Sequence, residues 1–215
     1  MVSSIPAPQN LATDTWLQAT WEEYVALADD PAYEQGRCYH DQGWMRIEMA
    51  ALGPLHGREN SIVSTLITLF ATLKNIRLVE LTNTTFRKPG IRDAQPDIAF
   101  YIGPNFQLPP RNNQPVNVNE FGAPQLAVEI ASTSLGDDLG RKRLLYERLG
   151  VDEYWVIDVV AGEVIAFEVM KGRSGQIQDS KVLPGLAIAT IEEALKRSQS
   201  EDDSRINRWL LELFA

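Results

Sequence analysis

The segment Gln95-Pro96-Asp97-Ile98-Ala99-Phe100-Tyr101 opens a short apolar strand with an acid, and Gln125-Leu126-Ala127-Val128-Glu129-Ile130-Ala131 sets another acid in the middle of a nearly continuous apolar run. The helical pattern over 137–149 then brings Asp138, Lys142 and Tyr146 onto one face. Two acids and a lysine in apolar surroundings are costly unless something uses them. A divalent ion held by the acids, with the lysine beside an attacking water, is the simplest use.

Working outward, 125–131 reads as a central strand covered on both faces. The helix that follows ends at Gly150. Strands are predicted at 153–159 and 163–170 around Ala161-Gly162, another over 176–183, and closing helices near 190–197 and 202–214. Upstream, Thr20-Trp21-Glu22-Glu23 resembles a capping box opening a helix with Tyr24 and Leu27 on its apolar side. Arg37–Tyr39 and Trp44–Met49 form a hairpin across Asp41-Gln42-Gly43. A Pro54–Gly57 turn leads to a long helix over 58–74, with Ile62, Val63, Leu66, Leu69, Phe70 and Leu73 as its buried stripe. Strands follow at 77–87 and 95–102, then a long loop over 103–124. The order α–β–β–α–β–β–β–α–β–β–β–α–α fits an α/β (α+β) domain, a mixed central sheet flanked by helices. Residues 1–15 are expected to be a flexible arm, 16–198 the domain and 199–215 a C-terminal helix.

With 215 residues, 44% hydrophobic and 23% charged, the chain is long enough for one substantial core. A net charge of -9 argues against coating nucleic acid by bulk electrostatics, although a nuclease could concentrate local positive charge with a metal. No apolar run reaches the length of a membrane span. Met1-Val2-Ser3-Ser4-Ile5-Pro6 lacks a basic region before an apolar core, so no signal peptide is expected. Cys38 is the only cysteine, which excludes an intrachain disulfide and points to the cytoplasm.

Each candidate has a plainer reading. Asp97 could cap a turn, and Lys142 could simply pair with Asp138 at the surface, but its face is the apolar one. Glu129 touches no turn signal, and buried acids are normally paired or metal-bound. Glu59 lies on the stripe of Ile62, Val63 and Leu66 as an accessory acid, or serves only the helix dipole, and His56 falls one turn earlier. Trp155, Tyr154 and Trp44 read as core aromatics and Cys38 as a small buried residue. No nucleophile elbow, Gly-rich phosphate loop, dinucleotide fingerprint or Cys/His cluster is present.

At these residues the chain resembles a PD-(D/E)XK nuclease domain and, more narrowly, the Uma-two-like family of restriction-endonuclease-like proteins. The matching pieces are Pro96-Asp97-Ile98, Val128-Glu129-Ile130 with Ser132-Thr133-Ser134, Asp138 with Lys142 and Tyr146, and Gly150 to Asp158, in an order spanning roughly residues 16 to 195. One departure is Ala131, which stands where the superfamily pattern has its lysine. The resemblance implies that Lys142 supplies that charge. It also implies metal-dependent phosphodiester hydrolysis, most simply of DNA, by a homodimer. Asp97, Glu129 and the Ile130 carbonyl would hold Mg²⁺ or Mn²⁺, with Glu59 or His56 in support. The rival expectations are a nuclease-fold binding module without turnover, which the net charge and Ala131 favour, and one subunit of a larger assembly.

Overall fold

The computed structural model describes residues 12–215. Residues 1–11 of the expected arm lie outside them. Asp14, near its end, is anchored to the body, its amide donating to the Ile47 carbonyl. After β1 (Leu17–Gln18), α1 (Trp21–Ala28) opens on the reciprocal Thr20–Glu23 capping box and buries Tyr24 and Leu27. The hairpin of β2 (Arg37–Asp41) and β3 (Trp44–Glu48) turns through Gln42 and Gly43, both at positive φ, the geometry that matches strand twist.

The long helix α2 (Pro54–Leu73) starts at Pro54 rather than at 58. Proline lacks the amide that a first turn leaves unpaired anyway, so the expected Pro54–Gly57 turn is the helix's first turn. Its buried stripe runs through Ile67 and Ala71, leaving Leu73 exposed. The strand expected over 77–87 is two strands, β4 (Leu78–Thr82) and β5 (Phe86–Lys88), separated at Asn83, which has φ 48°. β6 (Arg92–Ala94) pairs with β5, and β7 (Ile98–Ile102) follows. The 103–124 loop contains β8 (Val116–Asn117) and α3 (Val118–Phe121).

After β9 (Leu126–Ala131), the helix expected over 137–149 comes in pieces. These are α4 (Leu135–Asp137), a wide turn over Asp138–Lys142 that leaves helical angles at Gly140, and α5 (Arg143–Leu149). Gly150, at φ 98°, closes α5 in the left-handed conformation. β10 (Glu153–Asp158), β11 (Glu163–Met170) and β12 (Arg173–Ile177) follow, the last earlier than expected. α6 (Ile188–Ser198) and α7 (Asp203–Phe214) end the chain.

The expected mixed central sheet is present with six strands, and a second six-stranded mixed sheet lies beside it. The central one has the order β12-β11-β10-β9-β7-β4, with β9 and β10 parallel across the α4–α5 crossover. One face packs Ile98, Phe100, Val128, Ile130, Trp155 and Ile157 against α2, α6 and α7. The C-terminal helix is therefore part of this core through Ile206, Leu210 and Phe214. The other face carries Ala99, Tyr101, Ala127 and Ala131, and meets Leu145, Tyr146 and Leu149 of α5. The second sheet, of order β1-β3-β2-β6-β5-β8, closes over this face with Tyr39, Phe86 and Ala94, so the two sheets and α5 enclose a common layer. Among the described residues no helix is long and apolar enough to cross a membrane.

Candidate active site

Strand alternation decides where the acids point. Asp97 shares the face of Ala99 and Tyr101, and Glu129 that of Ala127 and Ala131, which is the enclosed face. The antiparallel register pairs Ile98 with Val128, so Asp97 and Glu129 come opposite each other. The wide turn before α5 brings Asp138 and Lys142 inward together, both without exposure. The β2–β3 register sets Arg37 across from Glu48 and Tyr39 across from Arg46, and these four side chains join from above.

The Lys142 ammonium lies 2.9 Å from Glu48 Oε1, 3.0 Å from Asp138 Oδ1 and 3.7 Å from Glu129 Oε1. It also sits 3.2 Å from the Tyr39 hydroxyl and 4.3 Å above that ring. Tyr146 donates to Glu129 Oε1 at 2.7 Å. Arg46 donates to Glu48 Oε1 at 2.8 Å. Asp97 Oδ2 accepts the Ile130 amide at 2.7 Å, and its Oδ1 meets Arg37 and, at 3.1 Å, His56 Nε2. The Arg37 guanidinium also lies 3.0 Å from Glu48 Oε2 and 3.8 Å from Glu129 Oε2.

The Uma2 family model, described as "Putative restriction endonuclease", matches residues 21–204. The chain belongs to the Uma2 family. A crystal structure of a "putative nuclease belonging to DUF820" from Anabaena variabilis superimposes with a TM-score of 0.54 at 17% identity, covering 82% of this chain and 98% of that one. That likeness speaks for the fold. No curated protein matches the chain.

Among the residues singled out in this Uma2 chain, Asp97, Glu129, Lys142 and His56 meet in one cluster. Glu59 does not join it: its carboxylate accepts from Ser198 on α6 at 2.9 Å. Trp44, expected in the core, is half-buried under Arg141 at 4.2 Å. Arg37, Tyr39, Arg46 and Glu48 went unnoticed in the sequence. The available signal was their alternation on two strands whose Gln42–Gly43 turn fixes the register. Glu153, another fully buried acid, is structural. It accepts from the Trp155 indole, the Ser180 hydroxyl and the Lys181 and Val182 amides, and so anchors the segment after β12.

The electrostatics follow from these partners. Burial pushes Asp97 up, but His56, Arg37 and the Ile130 amide outweigh it and hold its carboxyl below the ordinary value. Burial likewise opposes ionisation of Glu48, where Lys142 and Arg37 prevail and its value is lowered. Glu129 differs: burial drives it well above the carboxylate range despite Lys142, and the charge of Asp97 adds to the rise. Burial also raises Asp138 against the pull of Lys142. Lys142 itself is held above the ordinary lysine value, because Glu129, Asp138 and Glu48 overcome the effect of burial.

These shifts carry a sign for stability. On β6, burial pushes Asp93 up to about 6 despite Arg87, 2.6 Å away. An acid with a raised folded pKa binds a proton in the native state that the unfolded chain has released, so stability rises as pH falls through the folded value. Asp93, Glu129 and Asp138 all act this way. Asp97 and Glu48, held low, begin to lose their contribution only below about pH 4. The thermal midpoint is expected to be several degrees higher at about pH 5 than at about pH 7.5, and to fall again below about pH 4. A midpoint climbing steadily toward alkaline pH in a melting series would contradict this account.

The carboxylate oxygens of Asp97, Glu129 and Glu48 are hard donors of the kind that suit Mg²⁺ or Mn²⁺. As they stand, no three acidic, histidine or cysteine side chains among the described residues are close enough to share an ion. A guanidinium lies among the three acids instead.

Proposed function

We propose that the protein is a Mg²⁺- or Mn²⁺-dependent endonuclease that hydrolyses phosphodiester bonds in DNA, working as a homodimer so that two sites address two strands. The observation that carries this reading is that Asp97, just before β7, meets the neighbouring strand of Glu129 by accepting the Ile130 amide at 2.7 Å, with a fully buried lysine 3.7 Å from Glu129. Asp97, Glu129 and the Ile130 carbonyl would hold the ion. Bound there, it would polarise a phosphoryl oxygen and acidify a water.

The protein's own groups have separable tasks. The Ile130 amide and His56 fix the Asp97 carboxylate, and Tyr146 orients Glu129. Lys142 stays protonated because three acids raise its pKa, so it cannot serve as a general base near neutrality. Its role is electrostatic: to neutralise charge building on the phosphorane and to orient the water. The net charge of -9 favours the rival reading, a nuclease-fold binding module without turnover.

Incubation of supercoiled plasmid with the protein separates the two. Conversion to open-circular and linear forms is expected with Mg²⁺ or Mn²⁺ and none with chelator. Intact plasmid under every divalent ion, from a folded protein, would leave the binding module as the better account.

A further inference from the structure

The cluster's oxygens divide into an inner and an outer set. Glu129 Oε1 and Glu48 Oε1 face inward, where Lys142, Tyr146 and Arg46 hold them on buried, packed side chains. Asp97 Oδ2 is tied to a backbone amide. The outer set is Asp97 Oδ1, Glu129 Oε2 and Glu48 Oε2. All three face the single side chain of Arg37, and only Asp97 Oδ1 has a further partner in His56. Arg37 is the most open member: its side chain is 16% exposed, against 0% for Lys142, 2% for Asp97 and Glu129, and 5% for Glu48.

We propose that the Arg37 guanidinium occupies the divalent-ion position of the metal-free protein, that an ion enters by displacing it, and that Glu48 is the third acidic ligand then released. This rests on the metal-dependent reading above. The physical need is clear. Asp97 and Glu48 converge with Glu129 in a nearly dry pocket, and the folded chain requires a counter-charge on the outer side. A guanidinium supplies it, being charged at every accessible pH and forked to span several acids. Its long stem at the start of β2 allows it to turn toward solvent when a doubly charged ion takes the three oxygens. The apparent metal affinity is thereby the intrinsic one scaled by the small fraction of molecules in which Arg37 is unseated.

Calorimetric titration of Mn²⁺ into the full chain tests this, with circular dichroism to confirm folding. Arg37→Met should bind Mn²⁺ at least roughly tenfold tighter than the wild type, and Arg37→Lys should fall between. Arg37→Met should melt below the wild type in chelator, and the gap should close in Mn²⁺, since the ion restores the lost counter-charge. Adding Glu48→Gln to Arg37→Met should remove much of the gained affinity. Wild-type binding with no gain in a folded Arg37→Met overturns the displacement model while leaving the metal-dependent reading intact. If Arg37→Met does not fold without metal, Arg37→Lys decides, and unchanged or weaker affinity in it overturns the model. Absence of Mn²⁺ binding in the wild type and in every folded variant removes both ideas together.

Discussion

Glu129→Gln is expected to reduce cleavage at least roughly a thousandfold while leaving the protein as stable as the wild type or more so. The two halves have one cause. Glu129 is 1% exposed, and burial drives its carboxyl well above the ordinary range, so the ionised form is an expense to the metal-free fold. An amide relieves that cost and keeps an acceptor for the Tyr146 hydroxyl, which lies 2.7 Å from Glu129 Oε1. It gives up the negative oxygen a divalent ion needs. Single-turnover cleavage and denaturant melts on the same preparation check both halves. If Glu129→Gln unfolds the protein under assay conditions, the carboxylate is a structural partner of Lys142, and its assignment as a ligand fails.

Local sequence chemistry revealed the parts of this site whose surroundings are local. Glu129 stood out because its neighbours Leu126 to Ile130 are apolar and no turn excuses it. Lys142 was placed inward by its four-residue spacing from Asp138 and Tyr146, and the wide turn at Gly140 preserves that placement. The rest depended on what each face meets. Nothing in the run Arg37-Cys38-Tyr39-His40-Asp41 marks its charged side chains as buried, yet both faces of the strand are covered, by α1 on one side and the acid cluster on the other. The second sheet escaped notice because β5 and β6 are three residues long and β8 two, too short for any period to register. Glu59 shows the converse failure. Glu59 does lie on the buried face of α2, but that face meets Ser198 on α6, a contact 139 residues along the chain that no local pattern encodes.

Lys142→Ala is expected to destabilise the fold by about 3–5 kcal/mol, which amounts to roughly 10 °C in thermal midpoint. Its ammonium is the inner counter-ion for Glu48, Asp138 and Glu129, and no solvent reaches the side chain to take its place. Removing it leaves buried acids uncompensated, a different situation from replacing a whole ion pair by apolar groups. Lys142→Arg should rescue little, because a planar fork does not fit a sealed slot 4.3 Å above the Tyr39 ring. The pH dependence has a definite sign. A lysine with a raised folded pKa contributes fully below its unfolded value near 10.4 and loses that contribution only as pH rises through the folded one. The protonated lysine's share should therefore persist across the range in which cleavage is assayed. Below the variant's melting point, turnover should fall far more than Mn²⁺ affinity, because charge on the phosphorane exists only in the transition state. If Lys142→Ala melts with the wild type, the inner ion pairs contribute nothing. If turnover and Mn²⁺ affinity fall in parallel, Lys142 only holds the acids in place, and the charge that offsets the phosphorane must come from another residue.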